Sequence, residues 1–262
     1  MEKLLEVMSR LRGPGGCPWD QEQTHQSIRP QVLEECYELL EAIDEQDDKL
    51  MKEELGDVLL HVVFHSQLAK ERGAFDFEDV SCSIVDKLIR RHPHVFGDQK
   101  VSSSDKVLQK WQELKAKEKP ERTGALDGIP KVLPALIEAQ EVQKKAGHVG
   151  FDWAEVKEVM LKLREEVEEI QEVLDNISGE QDAQARLEEE VGDLFFVVVN
   201  LARHLKCDAE QSCRLATRKF RHRFEQVEEM IQARGMRMQD CSLEEMELCW
   251  QEVKSGETIK GG

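Results

Sequence analysis

Four carboxylates arranged as two helical pairs occur twice in this chain, and no other feature restricts its fold as tightly. The first set is Glu34-Glu35-x-x-Glu38 with Glu54-x-x-Asp57; the second is Glu165-Glu166-x-x-Glu169 with Glu190-x-x-Asp193. Residues i and i+3 share a face of an α-helix, so Glu35/Glu38 and Glu54/Asp57 form acidic pairs, as do Glu166/Glu169 and Glu190/Asp193. If the two helices of a set pack face to face, four oxygen donors converge. Such a cluster repels itself and is costly to desolvate, so it needs a compensating cation. Oxygen-only donors suit Mg²⁺, with Mn²⁺ as a substitute.

The surroundings repeat as well. Leu55-Gly56-Asp57-Val58-Leu59-Leu60 parallels Val191-Gly192-Asp193-Leu194-Phe195-Phe196, Lys87-Leu88 parallels Lys219-Phe220, and Trp111-Gln112-Glu113-Leu114-Lys115 parallels Trp250-Gln251-Glu252-Val253-Lys254. The offset grows from 131 at the first acidic pair to 136 at the second and 139 at the tryptophan, as expected of corresponding elements joined by loops of different length. This is a tandem duplication. A solvated acidic face would explain one copy. Two copies, each ending in Gly-Asp and an apolar run, argue against that. A glycine inside a helix costs about 1 kcal/mol relative to alanine, so close helix approach or ligand access is expected at Gly56 and Gly192.

The 262 residues allow two domains, each able to bury a core. The repeat divides them as 1–118, a linker at 119–130, a second domain at 131–254 and a flexible tail at 255–262. Acidic residues outnumber basic ones 54 to 36, which argues against a nucleic-acid polymer or an anionic membrane as partner. A small anionic substrate remains open if metal ions mediate the contact. Sparse glycine and proline, a single tyrosine and 34% charged residues favour an all-α fold. Seven scattered cysteines without C-x-x-C fit a reduced cytoplasmic compartment, and no apolar run is long enough to span a bilayer.

Apolar periodicity predicts helices over 3–12, 28–45, 53–72, 79–91 and 104–118, then over 133–145, 154–176, 183–205, 209–234 and 243–254. Gly13–Gly16 reads as a turn leading into a loop through Cys17-Pro18-Trp19-Asp20. The run Leu194–Val199 looks like a buried strand when read alone. Its counterpart Val58–Val63 lies among better helix formers, so a buried helix is expected at both.

Asp57, His61 and His65 form a helical stripe that on paper suits a transition metal. The second half has Val197 and Leu201 at the histidine positions, which favours packed or interfacial histidines. Lys162 and Arg164 precede Glu166 where the first half has Gln31 and Leu33. Lys162, one turn upstream of Glu166, is placed either to reach a phosphate beside the metals or to pair with Glu166 as a surface lysine. Lys219, Arg221 and Arg223 add positive charge further on. Trp111 and Trp250 are either core anchors or stacking partners for a base. The chain lacks G-x-S-x-G, H-E-x-x-H and paired C-x-x-C motifs, which removes common hydrolase and zinc alternatives. A non-catalytic scaffold whose acidic faces bind a basic partner is the rival reading.

The duplicated motif, together with Gly16-Cys17-Pro18-Trp19-Asp20, Arg91-His92-Pro93-His94-Val95-Phe96 and Val149-Gly150-Phe151-Asp152-Trp153, resembles the long two-domain MazG nucleoside triphosphate pyrophosphohydrolases. The resemblance implies a dimerising all-α bundle that uses Mg²⁺ to hydrolyse NTPs and dNTPs to the monophosphate and pyrophosphate. It also implies metal ligation by Glu166, Glu169, Glu190 and Asp193, with hydrolysis concentrated in the second half. Implied substrate contacts fall on Lys162, Arg164 and Glu165, on Arg186 and Glu189, on Lys219 and Arg223, and on Trp250. Glu35, Glu38, Glu54 and Asp57 form the weaker second set.

Overall fold

The computed structural model describes residues 1–97, 103, 106–107, 110–111, 114, 118, 124–176 and 182–260, the last four as backbone. The chain divides into two compact units, Met1–Lys119 and Pro120–Gly262. Among the described residues there are helices and no strands, so the all-α expectation holds.

The first unit contains α1 (Glu2–Arg12), α2 (Pro18–Glu22), α3 (Arg29–Glu45), α4 (Asp48–Glu71), α5 (Phe77–Arg91) and the single turn α6 (Pro93–Phe96). Helix α4 is its centre, packing on α3, α1 and α5. Met8, Ile28, Val63, Phe64 and Leu68 form the core, with the Arg12 guanidinium 5.2 Å above the Phe64 ring. The α3–α4 junction is tight because Gln46 turns the chain with φ 56° and the Asp47 carboxylate caps α4, accepting from the Lys49 and Leu50 amides. That cap starts α4 five residues before the expected 53, so the helix carrying Glu54 and Asp57 begins well ahead of them. Segment 17–20, expected as a loop, contributes to α2, where Pro18 sits in the first turn and its missing N–H costs nothing.

The second unit contains α7 (Ala135–His148), α8 (Val156–Asn176), α9 (Ala183–His204), α10 (Ala209–Ala233), a 3₁₀ turn at Met238–Asp240 and α11 (Leu243–Lys260). The α8–α9 hairpin is its most extensive contact and matches the α3–α4 hairpin. Leu194–Val199 lies in α9, with Val197 and Val199 buried, so the helical reading stands. Helix α10 packs chiefly on α11, around Val227, Ile231, Cys249 and Val253. Helix α11 runs to Lys260 where a tail from 255 was expected; Gly256 weakens a helix already nucleated but does not end it. The helix expected over 104–118 lies largely outside the described residues, as do residues 119–123 of the linker.

Arg91 is buried and gives a bidentate ion pair to Glu118, which also accepts from Arg90 Nε at 2.8 Å. These guanidinium contacts, Arg91 first, hold the Glu118 carboxyl at about 2, below its ordinary 4.5. A depressed carboxyl contributes stability that is present above the unfolded value and lost as pH falls toward the folded one. Acid unfolding of the first unit between pH 4.5 and 2 is therefore expected to flatten in Glu118→Gln, at lower stability near neutral pH. Thermal melts across that pH range would check this; an unchanged profile would remove the pair from the account.

Candidate metal centres

Each helical hairpin draws its carboxylates together. In the first unit Glu35 from α3 meets Glu54 and Asp57 from α4, and in the second Glu166 from α8 meets Glu190 and Asp193 from α9. In both, one oxygen from each residue lies within 4.8 Å of the others. Glu38 and Glu169 stand outside these triads but bear on them: Glu38 raises Glu54, and Glu169 is itself raised by Glu166. The two centres are not identical in depth. Glu54 is the buried member of the first, and Glu166, 3% exposed, of the second.

Burial, followed by Asp57, Glu38 and Glu54, raises the Glu35 carboxyl above its ordinary range. Burial, then Glu38 and Asp57, does the same to Glu54. In the second unit burial and then the neighbouring Glu166 carboxyl raise Glu169, with Lys162 opposing them. The donor chemistry suits a hard divalent cation, because three carboxylates already converge and only a positive charge relieves their repulsion.

Lys162 separates the two halves. Its ammonium lies 2.8 Å from both Glu165 and Glu166 and 4.0 Å from Glu169. Hydrogen bonds to Glu165 and then Glu166 hold it charged well above its ordinary range. Lys162 is thus an internal counter-charge of the second centre. The first unit has Gln31 at that position, and the nearest cationic candidate is His61, whose Nε2 is 3.9 Å from Glu35 Oε1. Burial lowers His61 below its ordinary range despite Asp57, so it supplies no comparable charge.

The remaining expected contacts divide by helix geometry. Arg186 stands one turn before Glu190 on α9, and Glu189 one turn before Asp193, so both edge the centre. Arg164 is two residues from Glu166, about 200° around α8, and is exposed on another side. Lys219 and Arg223 belong to α10, where Lys219 is exposed and the Arg223 guanidinium lies 6.0 Å over the Trp250 ring. Trp250 packs against the α10–α11 core and lies 5.1 Å from Phe220. Arg91 over Trp111 at 5.2 Å repeats this pairing in the first unit, so both tryptophans act as packing anchors for an arginine.

Sequence reasoning missed Gln143. It is buried on α7 and donates to the Phe196 carbonyl, tying α7 to α9 one turn past Asp193. A polar residue within the α7 apolar stripe was the available signal. The glycine expectation is half corrected: a Cβ at Gly56 or Gly192 would meet nothing within 4 Å, so close helix approach within the chain is not the reason for either. Gly56→Ala is expected to stabilise the first unit by roughly 0.5–1 kcal/mol through helix propensity alone. Chemical denaturation would test it; destabilisation would mean that the open space is occupied in solution.

The fold and these two centres define an all-α tandem chain with a duplicated acidic hairpin. The model of the MazG nucleotide pyrophosphohydrolase domain matches it twice, at residues 23–96 and 155–228, and each match contains one complete set of carboxylates. The chain is 47% identical over 257 residues to the nucleoside triphosphate pyrophosphohydrolase/pyrophosphatase MazG of Thermotoga maritima, covering 98% of this chain and 96% of that one. It is 47% identical to the nucleoside triphosphate pyrophosphohydrolase of Escherichia coli K12, covering 98% of each. It also shares 45% identity with YabN of Bacillus subtilis, over 98% of this chain and 53% of that protein. This chain belongs to the MazG family.

Proposed function

We propose that this chain hydrolyses nucleoside and deoxynucleoside triphosphates to the monophosphate and pyrophosphate with Mg²⁺, mainly at the second centre, in nucleotide-pool housekeeping. The observation that carries the reading is the convergence of Glu166, Glu190 and Asp193 beneath a lysine. Its relatives of matching length are named for this activity.

Glu166, Glu190 and Asp193 would hold the ion, with Glu169, one turn along α8 from Glu166, joining them. A divalent ion at such a site neutralises a triphosphate and makes water a better nucleophile at neutral pH. The chain's own part is positioning and charge. Lys162, beside these carboxylates, would meet the phosphates where charge accumulates as pyrophosphate departs. Arg186 lies on the same face one turn away and can serve the same anion. Glu165 and Glu189, each beside a ligand, are placed to orient water. A covalent nucleophile is not required. Lys219, Arg223 and Trp250 enter as substrate contacts only if the α10–α11 hairpin or a second copy brings them to the centre.

A homodimer fits the surface of the α8–α9 hairpin. Leu161, Val167, Phe195, Phe196 and Val198 are exposed on its two helices, apolar side chains that a second copy could cover. No helix among the described residues is long and apolar enough to cross a membrane, and the reading places the enzyme in the cytoplasm. The test is pyrophosphate release from a panel of NTPs and dNTPs with and without Mg²⁺. Metal-dependent release supports the reading; none from any nucleotide by folded, metal-loaded protein would favour the scaffold alternative.

A further inference from the structure

Where α4 and α9 end, the two units make the same turn from different residues. In the first, Gly73 has φ 69°, its N–H donates to the Lys70 carbonyl at 2.9 Å, and the Ala74 N–H donates to the Ala69 carbonyl at 3.0 Å. In the second, Lys206 has φ 61°, with the matching bonds from Lys206 to Arg203 at 3.0 Å and from Cys207 to Ala202 at 2.8 Å. An aspartate then caps the next helix in each, Asp76 for α5 and Asp208 for α10. Left-handed backbone past a helix C-terminus favours glycine, because a Cβ there crowds the following carbonyl. A lysine where the other repeat holds glycine therefore costs stability, and what it adds is a flexible cation.

That cation borders a cavity of about 610 Å³, within the roughly 300–1,000 Å³ of small-ligand pockets. Lys144 and His148 of α7 and Arg203 of α9 line the same space. Two carboxylates, Asp152 and Asp208, share the lining and are partly occupied. Asp152 is paired with Arg203 and lies 3.1 Å from His204 Nε2, while Asp208 Oδ1 accepts from the Gln211 amide at 2.8 Å. Lys144 lies 3.3 Å from Glu141, and among the described residues Lys206 and His148 have no ion pair. The cavity is remote from the second metal centre, since Arg203 follows Asp193 by about 15 Å along the axis of α9.

The lining sets the chemistry of a ligand. Mobile ammonium groups suit a phosphate, and ionised carboxylates accept from hydroxyl groups. Arg203 above all holds the Asp152 carboxyl below its ordinary range, so it stays an acceptor. We infer that this cavity binds a phosphorylated sugar, free or as part of a mononucleotide, without any metal ion. Lys206 and Lys144 hold the phosphate, and Asp152 and Asp208 accept from the hydroxyls. None of these residues takes part in the hydrolysis proposed above, so the site stands or falls apart from it.

The test is calorimetric titration of the full chain, carrying Glu190→Gln and Asp193→Asn and kept in a metal chelator so that neither carboxylate centre draws phosphate. The probes are ribose 5-phosphate, adenosine monophosphate and inorganic phosphate. Lys206→Gly, which installs the glycine of the other repeat and relaxes the turn, is expected to melt no lower than its parent. It should nevertheless weaken ribose 5-phosphate by about tenfold, the scale of one charge-assisted contact, as should Lys144→Gln. Lys206→Arg, which keeps the charge, should bind within about threefold of the parent. Bound probe should also slow alkylation of the exposed Cys207, which lines the cavity, and leave Cys82 of the first unit unaffected. Tighter binding of adenosine monophosphate than of ribose 5-phosphate would make the ligand a nucleotide, and equal binding a sugar phosphate; both uphold the site. Inorganic phosphate binding as tightly as either would overturn the role given to the carboxylates and with it the ligand class. Failure of all three to bind at millimolar concentration, or binding untouched by both Lys206→Gly and Lys144→Gln, would overturn the site itself.

Discussion

Glu166→Gln is expected to reduce metal-dependent pyrophosphate release by 10²–10³-fold or more, whereas Glu35→Gln leaves most of the activity of the intact chain. Glu166 is the deepest carboxylate of its centre, 3% exposed, and lies beside both α9 carboxylates and Lys162. Glutamine keeps the shape and hydrogen-bonding capacity but removes the charge that binds the ion and holds the lysine. Losing a single preorganised electrostatic partner costs roughly 10²–10³ in turnover in well-studied cases. Loss of an ion-binding charge belongs at or above that range. Asp193→Asn should follow Glu166→Gln, with smaller loss because Asp193 is exposed and water can share its role. Steady-state release by both variants, with Mn²⁺ affinity measured alongside, decides the matter. Full activity in both would sink the assignment of the second centre; loss in Glu54→Gln instead would move catalysis to the first.

Lys162→Met is expected to act in opposite directions on metal and on rate. Lys162 neutralises Glu165 and Glu166, so it competes with a cation for them. Removing it should tighten Mg²⁺ binding by about two- to fivefold, the range expected for a partly exposed ion pair. The same change should lower turnover by about 10²-fold, because Arg186 alone would remain to meet the charge on the departing pyrophosphate. A lysine with a purely structural role predicts neither this opposition nor a rate effect separate from metal affinity. Calorimetry of the nucleotide-free chain and kinetics at saturating Mg²⁺ separate the two. Weaker Mg²⁺ binding in Lys162→Met would contradict the competition. The complementary expectation concerns Gln31, the counterpart of Lys162 in the first unit, where a centre without internal counter-charge relies more on whatever ion it holds.

The comparison of the two units shows how far local pattern reaches. The i, i+3 carboxylate pairs placed Glu35, Glu54 and Asp57 together, and Glu166, Glu190 and Asp193 likewise, because helical spacing fixes which residues share a face and the repeat fixed which helices meet. The same repeat overruled the strand-like appearance of Leu194–Val199, which lies within α9. Boundaries were less legible where a single residue decided them. The Asp47 cap extends α4 and Pro18 starts α2, one through its carboxylate and the other through its fixed φ rather than through periodicity.

By itself the sequence determined the duplication, the helical class, the pairing of acidic helices and the asymmetry of Lys162 against Gln31, since all of these are matters of spacing and residue type along one chain. Only the tertiary structure decided what each polar side chain faces. It engaged Lys162 with its own carboxylates, turned Arg164 away and packed Trp250 under Arg223. It also separated two histidines that look alike on paper, stacking His65 on His25 and leaving His61 beside Glu35. Spacing along a helix selects a face, but the partner across that face comes from distant residues through packing, and charge and hydrogen bonding act over only a few ångströms.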